Sequence, residues 1–454
     1  GDEPSSHWIE IVSSQKHPAN AQLEVGVTPM ADLPGVRSRI PQAEQTLRNV
    51  RVNYSYYKGL PAPLTNGGLN ERGVAVRSVW SPSRKELVDL TPETQKGPNY
   101  SDFAAMLLER ATTAREGVNL VADIIRKFGE SSYGGNAHII ADASEAWIMI
   151  QPAGGIGLWA AERLGDDSIR AFRPGYIGTI PIAENSHPDF LYSENLVSFA
   201  RKKGWYETGP FDFNKVFGDG LGPWAGALWI EAEVRSRASR TAKLSFHDVV
   251  WALRTERLTG DSAGYGQIVP LTDVQFNELR MLWHAPCGAV SAPFAPLFLG
   301  QQSIPPEFGK HRYLMSGESS RFLDESKPIY GEADGLSNVP QNTEAFPSAF
   351  AECKRLLYLT IQGRFDFLPR ATEALKFREQ DLARQTRKIV ASARALMEIG
   401  HHENSTHLLT YFSTNELLNG LELVKALNKI SELQIRSGDC LERFTKPLSF
   451  DQIW

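Results

Sequence analysis

The chain has 454 residues, enough for up to about three domains of ordinary size or one large domain with an extension. Hydrophobic residues make up 42% and charged residues 22%, with 10 Trp, 13 Tyr and 22 Phe, which excludes disordered, collagen-like and coiled-coil classes. The formal charge of -5 comes from 48 basic and 53 acidic residues mixed along the chain, so nothing points to nucleic acid as a partner.

No window approaches the roughly 20 apolar residues that span a bilayer. The most apolar stretch, Ala285 to Leu299, is broken by three prolines, and no membrane partner is expected. Cys287, Cys353 and Cys440 share no ligand-like spacing, so neither a disulfide framework nor a zinc site is expected. The start lacks the basic and apolar segments of a signal peptide, yet it is Gly rather than Met, which suggests processing or truncation. The expected compartment stays open: a soluble protein, cytoplasmic, or periplasmic or secreted after processing.

Taken in chain order, His7 to Val27 suggests two strands around a turn, and Thr46 to Tyr57 another. Gly67 to Trp80 suggests a polar turn entering a strand. From Tyr100 to Gly129 the apolar residues follow helical spacing, with Ser101 as N-cap, Gly129 as stop and a break around Arg115 to Gly117. Asn136 to Asp142, Glu145 to Gln151 and Gly157 to Leu164 predict an antiparallel meander, with Gly154 to Gly157 a hairpin turn rather than a phosphate loop. Glu194 to Lys203 and Phe246 to Arg254 predict helices, and Glu278 to Leu299 two more strands. Long amphipathic helices are expected from Ala345 to Gly400 and from Ser413 to Ile435, interrupted near Pro369 and at the turn before Ser413. This order predicts α+β rather than a doubly wound sheet.

Local motifs alone identify no reaction. His401 and His402 sit in a polar turn, where both rings cannot face one metal on a regular helix. Cys287, with His284 nearby, suits a core thiol better than a nucleophile. The combination says more. Asp2 to Val12 with Ile40 to Thr46, the run GGLNERGVAV (Gly67 to Val76), Ala114 to Gly129 followed by Tyr133 to Met149, and Trp283 to Phe308 together resemble, in order, the dipeptidase A and secernin family of N-terminal nucleophile (Ntn) hydrolases.

That resemblance implies a four-layer αββα sandwich over residues 1–340, with a helical C-terminal region, 341–454, packed on it. It implies a cysteine-type, autoprocessing amidase or dipeptidase whose first residue attacks an amide carbonyl, with its own α-amine as base and an acyl-enzyme intermediate. Neither metal nor cofactor is implied, and the substrate is a small peptide or N-acyl compound. Carried onto this chain, Asp2 would orient the nucleophile's amine, and Asn70 and Asn136 would serve the oxyanion; either asparagine also suits a turn residue bonded to backbone. Ser78, Trp159 and Glu71 would shape the substrate pocket.

The family's nucleophile precedes its acidic segment by some two dozen residues, whereas here that segment opens the chain. The nucleophile is therefore expected outside it, on a segment absent from the sequence or on a separate N-terminal peptide made by processing; its loss is the third reading. Ser78 and Pro174-Gly175-Tyr176 stand where the family tends to have asparagines, and Leu158 where it often has a His. These departures support an alternative, a catalytically silent scaffold for protein association. Homo-oligomerisation is expected under either view, since Leu356, Leu357, Leu359, Leu408, Leu409, Leu417, Leu418 and Leu421 exceed what one thin layer needs, although internal packing could absorb them.

Overall fold

A computed structural model describes residues 7–54, 59–172, 174–183, 187–241, 243–258, 264–310, 348–360 and 367–437. Eight strands form one antiparallel sheet: β1 (His7–Val12), β2 (Asn49–Tyr54), β3 (Leu64–Asn70), β4 (Ala75–Trp80), β5 (Asn136–Ala141), β6 (Ala146–Gln151), β7 (Ala160–Leu164) and β8 (Phe190–Tyr192). Each pairs with the next of these eight, two short ribbons being inserted between β1 and β2, so the expected three-strand meander is part of a longer one. Gly67 to Asn70 belongs to β3 itself, and the polar turn is the shorter stretch between Asn70 and Ala75.

Helices α1 (Tyr100–Arg110) and α2 (Ala114–Phe128) cover one face of this sheet. Period-2 alternation turns Val74, Val76, Ile140, Trp147 and Met149 toward Phe103, Leu107, Val118 and Ile125 of the helices, in one buried cluster. The N-cap of α1 is Asn99 rather than Ser101: its side chain accepts from the Ser101 and Asp102 amides, and Asp102 closes a capping box. The helix break falls at Ala111 to Thr113, where Thr113 caps α2 by accepting from the Glu116 amide. Gly117 lies inside α2, where a Cβ would come within 3.0 Å of Ile140 and Leu107. That glycine serves close packing and does not interrupt the helix.

The opposite face is covered in two parts. Over β5 to β7, Phe172, Ile177, Leu196, Phe211 and Phe217 pack on Ala137, Ile148, Ile150 and Ala160. Over β1 to β3 lies a second antiparallel sheet of β9 (Gly266–Ile268), β10 (Met281–Ala285) and β11 (Ala295–Phe298). Ile9, Val50 and Leu69 of the large sheet meet Leu282 and Leu297 of the small one in a cluster that also takes Leu417 and Leu421. Those two leucines belong to α7 (His402–Ser437), which with α5 (Ala349–Thr360) and α6 (Phe367–Glu398) backs the small sheet. Helix, sheet, sheet, helix is the resulting order of layers.

Helix α7 begins at His402, well before the expected Ser413, because the polar run after Gly400 is its exposed first turn and Ser405 already donates to the Ala393 carbonyl at 2.9 Å. Leu356, Leu357, Leu409, Leu417 and Leu421 are buried within the chain. Earlier in the chain, α4 (Phe246–Arg254) packs on the small sheet through Phe246 on Trp283, and α3 (Ala225–Thr241) packs on α4 through Trp229 on Trp251. Arg254 makes a two-pronged ion pair with Glu379 of α6 at 2.5 and 2.6 Å and donates to the Ala289 and Ala292 carbonyls, while Glu379 also accepts from the Phe294 amide. The expected boundary near 340 lies outside the described residues. No helix among them is long and apolar enough to cross a membrane.

Candidate functional site

The antiparallel order brings the starts of β1, β3 and β5 and the ends of β2 and β4 to one end of the large sheet. A cavity of about 990 Å³ lies there, bordered by Tyr54, Asn66, Ser78, Trp80, Tyr100 and Tyr133 on this side. Its far wall is Ile230, Val234, Val249, Leu253 and Leu258 from α3, α4 and the turn beyond. A site with apolar walls and a few convergent polar groups is what a small organic ligand requires. The chain enters the described structure beside it, since the His7 ring stacks on Tyr54 at 5.4 Å and lies 5.7 Å from Tyr265.

The polar groups form a connected line. The Tyr54 and Tyr100 hydroxyls share a hydrogen bond, and Tyr54 also donates to Asn66 Oδ1 at 3.4 Å. Asn66 reaches the cavity because the β2–β3 register slips beside it, from Val52 opposite Gly67 to Asn53 opposite Thr65. The Tyr133 ring meets Tyr100 edge-on at 5.0 Å, and its hydroxyl donates to Asn136 Oδ1 at 3.5 Å. Asn136 Nδ2 lies 2.9 Å from His138 Nε2 and 3.2 Å from Gln151 Oε1. His138 Nδ1 lies 2.8 Å from Ser78 Oγ, and the two residues are direct partners in the β4–β5 register.

Three bonds agree on the direction of this line. An amide nitrogen only donates, so Asn136 Nδ2 facing Gln151 Oε1 and His138 Nε2, with Oδ1 facing the Tyr133 hydroxyl, makes Nε2 the acceptor. This orientation of the Asn136 amide assigns the ring proton to Nδ1, which then donates to Ser78. Burial pushes the His138 pKa down to about 3, so the ring is neutral near pH 7. Ser78 resembles the serine of a Ser-His pair in distance only, because activation as a nucleophile needs a bare nitrogen facing the hydroxyl. What Ser78 retains is its own O–H, a donor at the cavity border.

Consecutive strand residues face opposite sides, so Arg77 approaches from the inter-sheet side. Its guanidinium lies 3.7 Å over the Tyr265 ring and donates weakly to the Tyr265 carbonyl at 3.4 Å. The second cavity arginine, Arg170, is held by Glu162 at 2.7 and 3.2 Å.

Of the residues singled out from sequence, the structure brings together Ser78 and Asn136, joined through His138. Asp2 lies outside the described residues. Asn70 closes the other end of β3, six positions from Leu64 and so about 20 Å away along the strand. Its side chain is consumed by the turn: Nδ2 donates to the Ala111 carbonyl at 2.8 Å, and Oδ1 accepts from the Arg72 and Val74 amides. Glu71 beside it accepts from the Arg48 amide, and neither residue borders the cavity. Trp159 packs on the core beneath α1 and α2, and its backbone bonds Ser193. Cys287 and Cys353 are buried in the small-sheet core. Among the described residues, no group of three or more His, Cys, Asp or Glu side chains is placed to hold a metal. Sequence reasoning missed Arg77, His138 and the three tyrosines; the one available signal was polar Asn136 and His138 two apart in an apolar strand, hence on one face.

Residues 42–221 match the sequence profile of peptidase family C69. This region resembles the C69 peptidases. It supplies Tyr54, Asn66, Ser78, Tyr100, Tyr133, Asn136, His138 and Gln151, the whole polar line. A probable dipeptidase of Salmonella dublin is 31% identical over 156 residues, 33% of this chain and 34% of that protein. A probable dipeptidase B of Streptococcus pyogenes serotype M6 is 29% identical over 154 residues, 33% of this chain and 30% of that protein. The alignments thus span about a third of the length of these curated relatives. A mutant conjugated bile acid hydrolase from Clostridium perfringens aligns over 67% of this chain and 84% of that one at 8% identity, with a TM-score of 0.28. The C69 match bears out the resemblance read from Gly67 to Val76 and Ala114 to Met149, which fall within it.

Proposed function

We propose that the protein hydrolyses amide bonds in short peptides or small N-acyl compounds, in the manner of a dipeptidase, through an acyl-enzyme formed at the cavity. One observation carries this reading: the C69 region converges its buried polar line on a cavity of small-ligand size. Ser78 is placed to donate its O–H to the carbonyl oxygen as negative charge develops, and Asn136 acts through His138 to hold that donor in position. The apolar wall from α3 and α4 takes a hydrophobic side chain or acyl group.

The test is a panel of dipeptides and N-acyl amino acids, together with an electrophilic amide probe and mass spectrometry of the labelled residue. Turnover of at least one amide and stoichiometric labelling at a single residue support the proposal. Ser78→Ala is expected to lower kcat about 100-fold, as loss of one oxyanion donor does. No turnover across the panel and no labelling would favour the silent scaffold.

A further inference from the structure

We propose that Arg77 is a carboxylate-binding residue of the cavity, so that its ligands carry a free carboxylate. The substrate part of this statement rests on the hydrolase reading; the binding part does not. The two cavity arginines differ in one respect. Arg170 is neutralised by Glu162, whereas no carboxylate pairs with Arg77 among the described residues. Glu231, an acid on the cavity wall, is engaged with the Ala171 amide at 2.8 Å.

Arg77 is also short of hydrogen-bond acceptors. Nη2 has the long bond to the Tyr265 carbonyl, and Nη1 has no acceptor in good geometry, the Tyr265 hydroxyl being its weakly engaged polar neighbour. Gln267 on β9 donates its amide nitrogen to the Val76 carbonyl at 3.3 Å, and its own amide oxygen is buried without a donor. A part-buried guanidinium at a cavity wall without a counter-ion is matched by a carboxylate, which takes charge-assisted N–H bonds from it. The Tyr265 ring fixes the plane of the guanidinium from one side, so the fork is oriented before a ligand arrives. His284, ringed against Tyr265, is kept neutral by burial and by the Arg77 charge, which leaves Arg77 as the cation of this wall.

Ser78 and Arg77 are consecutive and reach the cavity from opposite faces of β4, so a ligand laid across the sheet end meets a carbonyl-directed hydroxyl and a carboxylate-directed guanidinium. A dipeptide or an N-acyl amino acid has both groups; an N-acyl amine has only the first.

The test compares N-acetyl-L-leucine with N-acetyl-L-leucinamide by calorimetric titration of the full chain, which needs no turnover. The carboxylate is expected to bind roughly tenfold tighter or more, the range for hydrogen bonds to a charged group. Arg77→Gln should abolish that ratio while keeping the affinity for the amide, and Arg77→Lys, which keeps the charge but not the fork, should retain part of it. Equal affinities in the wild-type protein overturn the proposal, as does an undiminished ratio in either variant. The wild-type comparison and Arg77→Lys decide the matter if the Gln variant does not fold. An affinity ratio without hydrolysis of any amide refutes the hydrolase reading and leaves the subsite standing; hydrolysis without the ratio does the reverse.

Discussion

Glu130 follows the glycine that ends α2, is 6% exposed, and has a carboxyl oxygen without a hydrogen-bond partner. Burial raises its pKa from 4.5 to about 8. Between those values the folded chain holds a proton that the unfolded chain has released, so its contribution is complete below pH 4.5 and is lost as pH rises through 8. His138 and His284 act in the other sense: their pKa values fall from 6.5 to about 3, so the stability they support is lost as pH drops through that interval. Melting temperature is therefore expected to decline on both sides of a mildly acidic optimum. Glu130→Gln should flatten the alkaline limb and leave the acid limb, and thermal melts across pH check both. Little of this was legible in sequence. Asn70 sits in the recognisable GGLNERGVAV run, yet its local turn absorbs it, whereas His138 acquires its meaning from a cross-strand register that no local spacing encodes.

The Arg254–Glu379 pair joins the last residue of α4, a cavity-wall helix, to the first half of α6. Both side chains are buried and nearly every donor is matched, which is the condition under which such a pair is tolerable. Removing one partner strands the other: Glu379→Ala is expected to cost about 3–5 kcal/mol in urea unfolding. Arg254→Met with Glu379→Leu should recover much of that loss, because apolar partners of similar volume avoid the stranded charge. Elements were more legible than pairs like this one. Alternation exposed β5 to β7 and helical spacing exposed α1 and α2, because both signals are local. The α1–α2 break was displaced because Gly117 looks like a breaker, while its actual demand is for room against Ile140.

The α+β class and the helical C-terminal part could be inferred from chain order; the cavity could not, because its wall joins residues 54–172 to residues 230–289. The small sheet makes the helices necessary. Phe294, Phe298 and Trp283 share one core with Leu356, Leu382, Leu409 and Val424 of α5 to α7. A chain stopped after Lys310 is expected to lose cooperative thermal unfolding and to aggregate, measured by calorimetry and light scattering; a soluble product with a sharp transition would contradict that dependence. The strict neighbour-to-neighbour order of the large sheet has a consequence for synthesis. As the chain leaves the ribosome, each strand can dock on the preceding one of the eight, with only two small ribbons made between β1 and β2, so the sheet can grow from β1 to β8 in order of synthesis. Its β1 to β3 face, with Ile9, Val50 and Leu69, has no cover until residues beyond 281 emerge. A nascent chain between those lengths presents an assembled but half-bare sheet, the state in which a holding chaperone has most to bind.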